Sequence, residues 1–265
     1  MKTRAVGILG VGRLGEAIAK AVLSQTEVRE LHVTRRSAGR VARLSEADPR
    51  VRPGDAAAIL RDCDILIVAL RPDDARSLLP GIAFEARHQI ISAMAEIGLD
   101  ELSELTRGAG GICRLLVLPS VTEGRQLLPV FPASSAAEHV FGRQNSLLVV
   151  ESEEQLMTYW SITSLLSSIM MIGDVAERWL VNSGIERECA TAYARTLYSD
   201  VHAASASGFA EGLDHASTPG GLNVAMYERM SRAGVEEQVA TGLDQIRRRL
   251  LAGMARNADQ VKEDR

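Results

Sequence analysis

Residues 5–22 have the sequence AVGILGVGRLGEAIAKAV, and this stretch decides the fold. The apolar run at residues 5–9 is typical of a buried strand, and a glycine-rich turn follows at residues 10–15. Apolar residues then recur at helical spacing, namely Leu14, Ala17, Ile18, Ala21 and Val22. A second apolar segment at residues 31–34 completes a predicted β-α-β unit.

The glycines of this turn predict a dinucleotide site. In the G-x-G-x-x-G pattern, Gly10 permits a tight turn, Gly12 lets phosphates approach the backbone, and Gly15 lets the helix pack closely on the strand. The helix N-terminus then faces a pyrophosphate. The pattern alone is weak evidence, but here it has the expected strand before it and helix after it. A nicotinamide dinucleotide is favoured over a flavin, because no second flavin signature is present.

The end of the second strand predicts which nicotinamide cofactor is preferred. In NAD-preferring sites, an acidic residue about 20 positions beyond the glycines binds the ribose 2′-hydroxyl. No Asp or Glu occupies residues 33–37, where Arg35, Arg36 and Ser37 stand instead. A planar guanidinium can bind two phosphate oxygens, so these residues predict a preference for NADPH over NADH. The alternative is a solvated basic loop.

Composition limits the classes of function. The 265 residues are 46% hydrophobic and carry a net charge of −4, which predicts one large or two modest domains and neither a nucleic-acid nor a membrane partner. We also expect no apolar run long enough to span a bilayer, and no signal peptide before the first strand. Cys63, Cys113 and Cys189 show neither zinc-site nor disulfide spacing, so we predict no metal and a cytoplasmic location.

The pattern of elements changes near residue 151. Before it, strands and helices alternate, which predicts a Rossmann-type, doubly wound parallel sheet. Further strands are predicted at 64–70, 89–93, 112–118 and, at the edge, 146–150. After it, only helices are predicted, at 153–168, 170–183, 185–207, 222–232 and 235–258. We therefore expect a dinucleotide-binding domain at 1–151 and an all-α domain at 152–265. The aromatic content of 4% suggests that the helical domain completes its core as a homodimer or higher homo-oligomer.

Ligands of such sheets bind at the carboxyl ends of the strands. The predicted cofactor-binding residues are therefore Gly10, Gly12, Arg13, Leu14, Gly15, Arg35, Arg36, Ser37, Ala69, Leu70, Arg71, Pro72, Ala93 and Ala95.

A second motif, STPGGLN at residues 217–223, interrupts the helical half. Its Pro-Gly-Gly turn has unusual backbone freedom, and its amides together with the helix start at Leu222 suit a carboxylate. On its own, the segment is more typical of a helix–helix linker.

Taken together, the motifs resemble the pyrroline-5-carboxylate reductase family. The resemblance is carried by residues 7–18, 34–37, 69–72, 118–120 and 218–223, in family order over almost the whole chain. It implies reduction of a cyclic imine to proline with NAD(P)H, as in proline biosynthesis. It also implies a helical dimerisation domain whose partner subunit helps to build each active site.

The resemblance also assigns substrate residues. Asn223 matches the threonine that binds the imine nitrogen, and Ser217 and Thr218 accompany it as catalytic candidates. The implied substrate-binding residues are Gly220, Gly221, Ser167 and Ser168. The chain departs from the family at residues 116–120, where Leu-Val-Leu-Pro-Ser replaces Arg-Val-Met-Pro-Asn, and at 163–168, which lack the family's glycines and proline. The cofactor half therefore matches the family better than the substrate half.

The reaction type follows from the chemistry of imines. A protonated iminium is already electrophilic, so the protein mainly holds its carbon against the nicotinamide. Ketone reduction needs a proton donor, and the β-hydroxyacid dehydrogenases use a lysine early in the helical domain, whereas no lysine lies between Lys20 and Lys262. We predict an NADPH-dependent reductase of a C=N bond in an amino-acid-like substrate, with pyrroline-5-carboxylate as the first candidate. The alternatives are a related dehydrogenase of another small molecule and a non-catalytic NADP-binding sensor or scaffold.

Overall fold

An eight-stranded sheet forms the N-terminal part of the protein. The structure, a computed structural model, describes residues 5–263. The strands are β1 (Val6–Leu9), β2 (Leu31–Thr34), β3 (Val51–Gly54), β4 (Ile65–Val68), β5 (Gln89–Ser92), β6 (Gly111–Leu115), β7 (Leu127–Phe131) and β8 (Ser146–Val149). They lie in the order β3-β2-β1-β4-β5-β6-β7-β8, and the pairs are parallel except β6–β7, which is antiparallel. The predicted fold class is confirmed, with one antiparallel pair that the sequence did not indicate.

Helices cover both faces of the sheet, because the strands are apolar on both sides. The helices of this part are α1 (Arg13–Leu23), α2 (Ala38–Ala47), α3 (Ala56–Asp62), α4 (Pro72–Leu78), α5 (Leu99–Leu105) and α6 (Ser135–Phe141). Ile8 points into a core with α1, α2 and α6, and the next residue, Leu9, points into a second core with α3, α4 and α5. This alternation along fully buried strands produces the doubly wound architecture.

Two strands were not predicted, and both contain proline. Pro53 lies in β3 at one edge of the sheet, where a missing N–H costs little, and Pro129 lies in β7. The predicted strand at 112–118 ends at Leu115. The prediction of an edge strand near residues 146–150 is confirmed by β8.

The C-terminal part is helical, as predicted, but its breaks differ. The helices are α7 (Glu153–Ile162), α8 (Leu165–Asn182), α9 (Arg187–Ala204), α10 (Phe209–Ala216), α11 (Leu222–Arg232) and α12 (Val235–Glu263). The predicted helix break near residue 169 is wrong. The observed break lies at residues 163–164, where the Ser164 hydroxyl donates to the Ser161 carbonyl at 2.7 Å. The helix α10 was missed; it begins after Gly208, whose φ of 120° ends the preceding turn.

The chain forms two compact units. One comprises Met1–Trp160 together with Arg247–Arg265, and the other comprises Ser161–Ile246. We call them the sheet unit and the helical unit. They differ from the expected division at 151, because α7 and the last part of α12 group with the sheet. Within the sheet unit, Arg247 of α12 donates to the Thr158 hydroxyl at 2.9 Å, and Arg249 pairs with Glu96 at 3.0 Å.

Among the described residues, one helical stretch is long enough and apolar enough to cross a membrane, judged by length and composition alone. It covers Glu153–Asn182, and 22% of its most apolar window is buried. The expectation that no apolar run reaches this length is therefore corrected for residues 153–182. A single stretch of this kind is weak evidence for a membrane span, and core helices of soluble proteins pass the same test. The absence of a membrane partner stays a prediction.

Candidate functional site

A cavity of about 730 Å³ opens at the carboxyl ends of β1 to β4. Its lining comes from the four loops that follow these strands and from one face of α4. The lining residues are Gly10, Val11, Gly12, Thr34, Arg35, Arg36, Ser37, Gly54, Asp55, Ala56, Ala69, Leu70, Arg71, Asp74, Ser77 and Leu78. This is the edge at which open α/β sheets bind their ligands.

The three glycines of the turn have distinct structural roles. Gly10 has a φ of 101°, and a Cβ there would lie 2.5 Å from the Ala69 carbonyl oxygen. A Cβ on Gly15 would lie 2.0 Å from the Gly10 carbonyl oxygen. By contrast, a Cβ on Gly12 would meet no atom within 4 Å. Gly10 and Gly15 are thus required by the fold, whereas Gly12 keeps open space inside the cavity.

The helix start beside this space suits a phosphate group. The helix α1 begins at Arg13, and its N-cap residue Gly12 has no side chain to bind the first backbone N–H groups. Uncapped N–H groups at a helix N-terminus bind anions, and the helix dipole favours negative charge there. The Gly10 N–H donates to the Thr34 hydroxyl at 2.9 Å, which fixes the turn against the end of β2. The residues present therefore fit a dinucleotide pyrophosphate.

The basic end of the cavity also contains an acidic side chain, Asp74. The Arg35 guanidinium donates to the Pro53 carbonyl at 3.1 Å, and Arg36 forms an ion pair with Asp74. Asp73 and Asp74 both lie in the first turn of α4. No local pattern relates Asp74 to Arg36, because Asp74 lies in the first turn of α4 and Arg36 lies on the loop after β2.

Eight of the fourteen predicted cofactor residues line this cavity, and the other six lie outside its lining. Those in the lining are Gly10, Gly12, Arg35, Arg36, Ser37, Ala69, Leu70 and Arg71. The others are Arg13, Leu14 and Gly15 in the first turn of α1, Pro72 at the start of α4, and Ala93 and Ala95 after β5. Gly15 acts through helix packing, and Ala93 is buried in the core.

The loop at residues 217–223 belongs to the helical unit and is closed by its own hydrogen bonds. Gly220 has a φ of 74°, and the Gly221 N–H donates to the Thr218 carbonyl at 2.9 Å. The Asn223 amide nitrogen donates to the Ala216 carbonyl at 3.0 Å. Thr218, Gly220 and Asn223 are exposed, and Ser217 and Gly221 are half-buried. The other substrate candidates, Ser167 and Ser168, are exposed on the first turns of α8.

A buried arginine beside the loop after β5 was missed. Arg114 lies on β6, is fully buried, and donates to the carbonyl oxygens of Met94 at 3.1 Å and Ala95 at 2.7 Å. It also pairs with Glu153, and its guanidinium carbon lies 4.9 Å from the centre of the Trp160 ring. Burial lowers the pKa of Arg114, and the Glu153 carboxylate opposes this shift. The only signal in the sequence was a charged residue within an apolar strand.

Comparison with known proteins supports this reading of the fold. Residues 5–96 match the family model described as NADP oxidoreductase, coenzyme F420-dependent. A pyrroline-5-carboxylate reductase of Streptococcus pyogenes superimposes with a TM-score of 0.78 at 20% identity, covering 94% of this chain and 99% of that one. The chain has the pyrroline-5-carboxylate reductase fold. The predicted resemblance is confirmed at the level of the fold.

Other solved structures agree with this assignment of the fold. The Plasmodium falciparum pyrroline carboxylate reductase with NADP bound gives a TM-score of 0.79 at 16% identity, covering 96% of this chain and 99% of that one. A reductive aminase of Aspergillus terreus, in complex with NADPH4, cyclohexanone and allyl amine, gives a TM-score of 0.58 at 15% identity. The match covers 98% of this chain and 94% of that one. The comparison with curated protein sequences gave no match. The family model describes NADP oxidoreductases, and two of these solved structures contain NADP or NADPH4.

Proposed function

We propose that this protein is an NADPH-dependent oxidoreductase that reduces a C=N bond, in pyrroline-5-carboxylate or a related amino-acid-like imine. One observation carries the proposal. The cavity of the sheet unit combines the uncapped N-terminus of α1 with two arginines, Arg35 and Arg36, at the end of β2. This is the arrangement that a dinucleotide with an additional phosphate requires.

NADPH, when bound, supplies the hydride for reduction. The chain's own residues bind and orient it: the first N–H groups of α1 receive the pyrophosphate beside Gly12, and Arg35, Arg36 and Ser37 receive the 2′-phosphate. The proposed preference for NADPH over NADH rests on these three side chains, all of which line the cavity.

The loop at 217–223 is the proposed substrate site, with Ser217, Thr218 and Asn223 as hydrogen-bonding groups and Gly220 and Gly221 as the turn. A second candidate, a different imine or carbonyl substrate, is favoured by one contact. The amide of Asn223 already donates one N–H to the Ala216 carbonyl of its own loop, which leaves one N–H in a fixed direction where the family's threonine has a rotatable hydroxyl.

We also propose that the protein forms a homodimer or larger homo-oligomer through the helical unit. Large apolar side chains on α8 and α9 are exposed in the single chain, namely Ile169, Met170, Met171, Ile172, Val175, Trp179, Tyr193, Leu197 and Val201. Apolar surfaces of this extent mark interaction sites. Sizing in solution at micromolar concentration tests the proposal, and a clean monomer contradicts it. A cytoplasmic location stays a prediction.

The decisive experiment measures NADPH oxidation with pyrroline-5-carboxylate, with a panel of other cyclic imines, and with carbonyl compounds. Turnover with pyrroline-5-carboxylate supports proline formation. Turnover only with other compounds supports the second candidate. Tight NADPH binding without turnover on the whole panel would contradict an enzymatic function and leave a sensor or scaffold.

A further inference from the structure

The strand order determines which part of a bound dinucleotide lies near which loop. Arg35 and Arg36 follow β2, on one side of the glycine turn after β1, and β4 and β5 lie on the other side. A dinucleotide whose 2′-phosphate lies at β2 and whose pyrophosphate lies at β1 extends its nicotinamide half toward β4 and β5. The loop after β5, residues 93–98, therefore borders the nicotinamide half.

One buried side chain contacts the start of this loop. Arg114 is paired in register with Ser92, the last residue of β5, so its guanidinium lies beside the point where the loop begins. One of its terminal nitrogens donates to two consecutive carbonyl oxygens of the loop, those of Met94 and Ala95. These contacts fix the direction of the backbone directly after the strand.

The same guanidinium is connected to the other end of the loop. Its second terminal nitrogen donates to Glu153 Oε1, and this oxygen also accepts the Leu99 N–H at 2.8 Å, at the start of α5. The Met157 and Met254 sulfur atoms lie 3.8 Å from the guanidinium. Both ends of the loop are therefore fixed by one arginine–glutamate pair.

A charge at this position is costly to bury. The Arg114 side chain is 0% exposed, and its Nε has no hydrogen-bond partner among the residues that the structure describes. An apolar side chain would fill a buried strand position without this desolvation penalty, and replacing a buried ion pair by apolar residues is often neutral or stabilising. Stability alone therefore does not explain the arginine.

We propose that Arg114 is a positioning residue, which fixes the loop at residues 93–98 against the nicotinamide half of bound NADPH. This inference rests on the proposed function. It assigns Arg114 no contact with the cofactor, because the arginine acts through the backbone of Met94 and Ala95.

The test compares two ligands on the same variants. NADPH has both halves of the dinucleotide, whereas adenosine 2′,5′-bisphosphate has only the half at Arg35 and Arg36. In Arg114→Lys, which keeps the charge and loses the fork that holds the loop, the Kd for NADPH should rise about tenfold, a loss of ~1.4 kcal/mol of binding free energy. The Kd for adenosine 2′,5′-bisphosphate should stay unchanged. Glu153→Gln should shift the same ratio, and it carries the test if the lysine variant does not fold.

The matched control is Arg50→Lys. Arg50 is half-buried, pairs with Asp48, and donates to the Gln25 and Val28 carbonyls at 2.9 and 3.0 Å. It directly precedes β3 and therefore lies at the amino ends of the strands, whereas the cavity lies at their carboxyl ends. This variant should lower Tm without changing the ratio of the two Kd values.

Two results distinguish a failure of the proposed function from a failure of the proposed role of Arg114. If wild-type protein binds neither ligand, the proposed function fails. If wild-type protein binds both, but Arg114→Lys and Glu153→Gln weaken both equally or leave both unchanged, only the role of Arg114 is overturned.

Discussion

Arg36, on the loop after β2, forms an ion pair with Asp74, in the first turn of α4, and both side chains line the proposed cofactor cavity. The pair brings an acidic group to the place where a 2′-phosphate would bind. A 2′-phosphate must therefore compete with Asp74 for the Arg36 guanidinium.

Removing this carboxylate should favour NADPH. In Asp74→Asn, the Kd for NADPH should fall about two- to fivefold, because exposed ion pairs contribute only ~0.2–1 kcal/mol. The Kd for NADH should change less. Isothermal titration with both cofactors measures the two values.

The neighbouring Asp73 provides the control for net charge. It is fully exposed, and its carboxylate lies 3.5 Å from Arg76, outside the cavity lining. Asp73→Asn should leave both Kd values unchanged. An equal gain in both variants would assign the effect of Asp74→Asn to net charge.

Removing both arginines should reduce the preference for NADPH over NADH. In Arg35→Ala with Arg36→Ala, the kcat/KM for NADPH should fall about tenfold relative to that for NADH, because hydrogen bonds between charged groups contribute ~1.5–3 kcal/mol. Steady-state kinetics with each cofactor measures this ratio. Arg43→Ala is the control, since Arg43 is exposed on α2 and lies outside the lining. Equal losses for both cofactors would place the 2′-phosphate elsewhere.

Substitutions at the glycines of the first turn should separate effects on cofactor binding from effects on folding. In Gly12→Ala, the methyl group meets no protein atom, so Tm should stay unchanged, while the Kd for NADPH should rise about tenfold because the group occupies phosphate space. In Gly15→Ala, the clash with the Gly10 carbonyl should cost ~1–3 kcal/mol of unfolding free energy. Thermal melts and cofactor titrations measure both effects.

Gly81→Ala is the control for these variants, because a Cβ there also meets no atom within 4 Å and Gly81 is not in the cavity lining. It should alter neither Tm nor Kd. Unchanged NADPH binding in Gly12→Ala would show that the pyrophosphate does not bind at this turn.

The loop of the helical unit should affect catalysis and not cofactor binding. If the second N–H of the Asn223 amide donates to the substrate nitrogen, Asn223→Ala should lower kcat about tenfold or more with the best imine of the panel. The Kd for NADPH should stay the same. Asn223→Asp, which keeps the size but loses the donor, should show the same loss. Wild-type kinetics in both variants would exclude Asn223 from the site.

The predictable part of the fold is the part that local patterns encode. The β-α-β unit with its glycine turn was recognised because strand, turn and helix follow each other within residues 5–34. β3 and β7 were missed because each contains a proline, Pro53 or Pro129, which weakens a strand pattern. The break before α8 was misplaced because serines and threonines, not glycine or proline, end α7.

The missed parts of the site depend on contacts between distant segments. The residues that surround the cavity could be predicted, because they lie at strand ends and the alternation of strands and helices indicated how the strands are arranged. The pairing of Arg36 with Asp74 and of Arg114 with Glu153 joins residues on separate elements, and no spacing rule relates them. Burial of Arg114 becomes visible only once β6 lies inside the sheet.

The division of the chain into units has a practical consequence. Because the sheet unit continues into α7 and resumes at Arg247, the helical unit is an insertion within it, and not a domain that follows it. A fragment cut after residue 151 would lose Glu153, the counterion of Arg114, and also the Met157, Trp160 and Met254 side chains that pack on its guanidinium. An autonomous cofactor-binding fragment therefore requires both pieces of the sheet unit, joined by a linker that replaces residues 161–246.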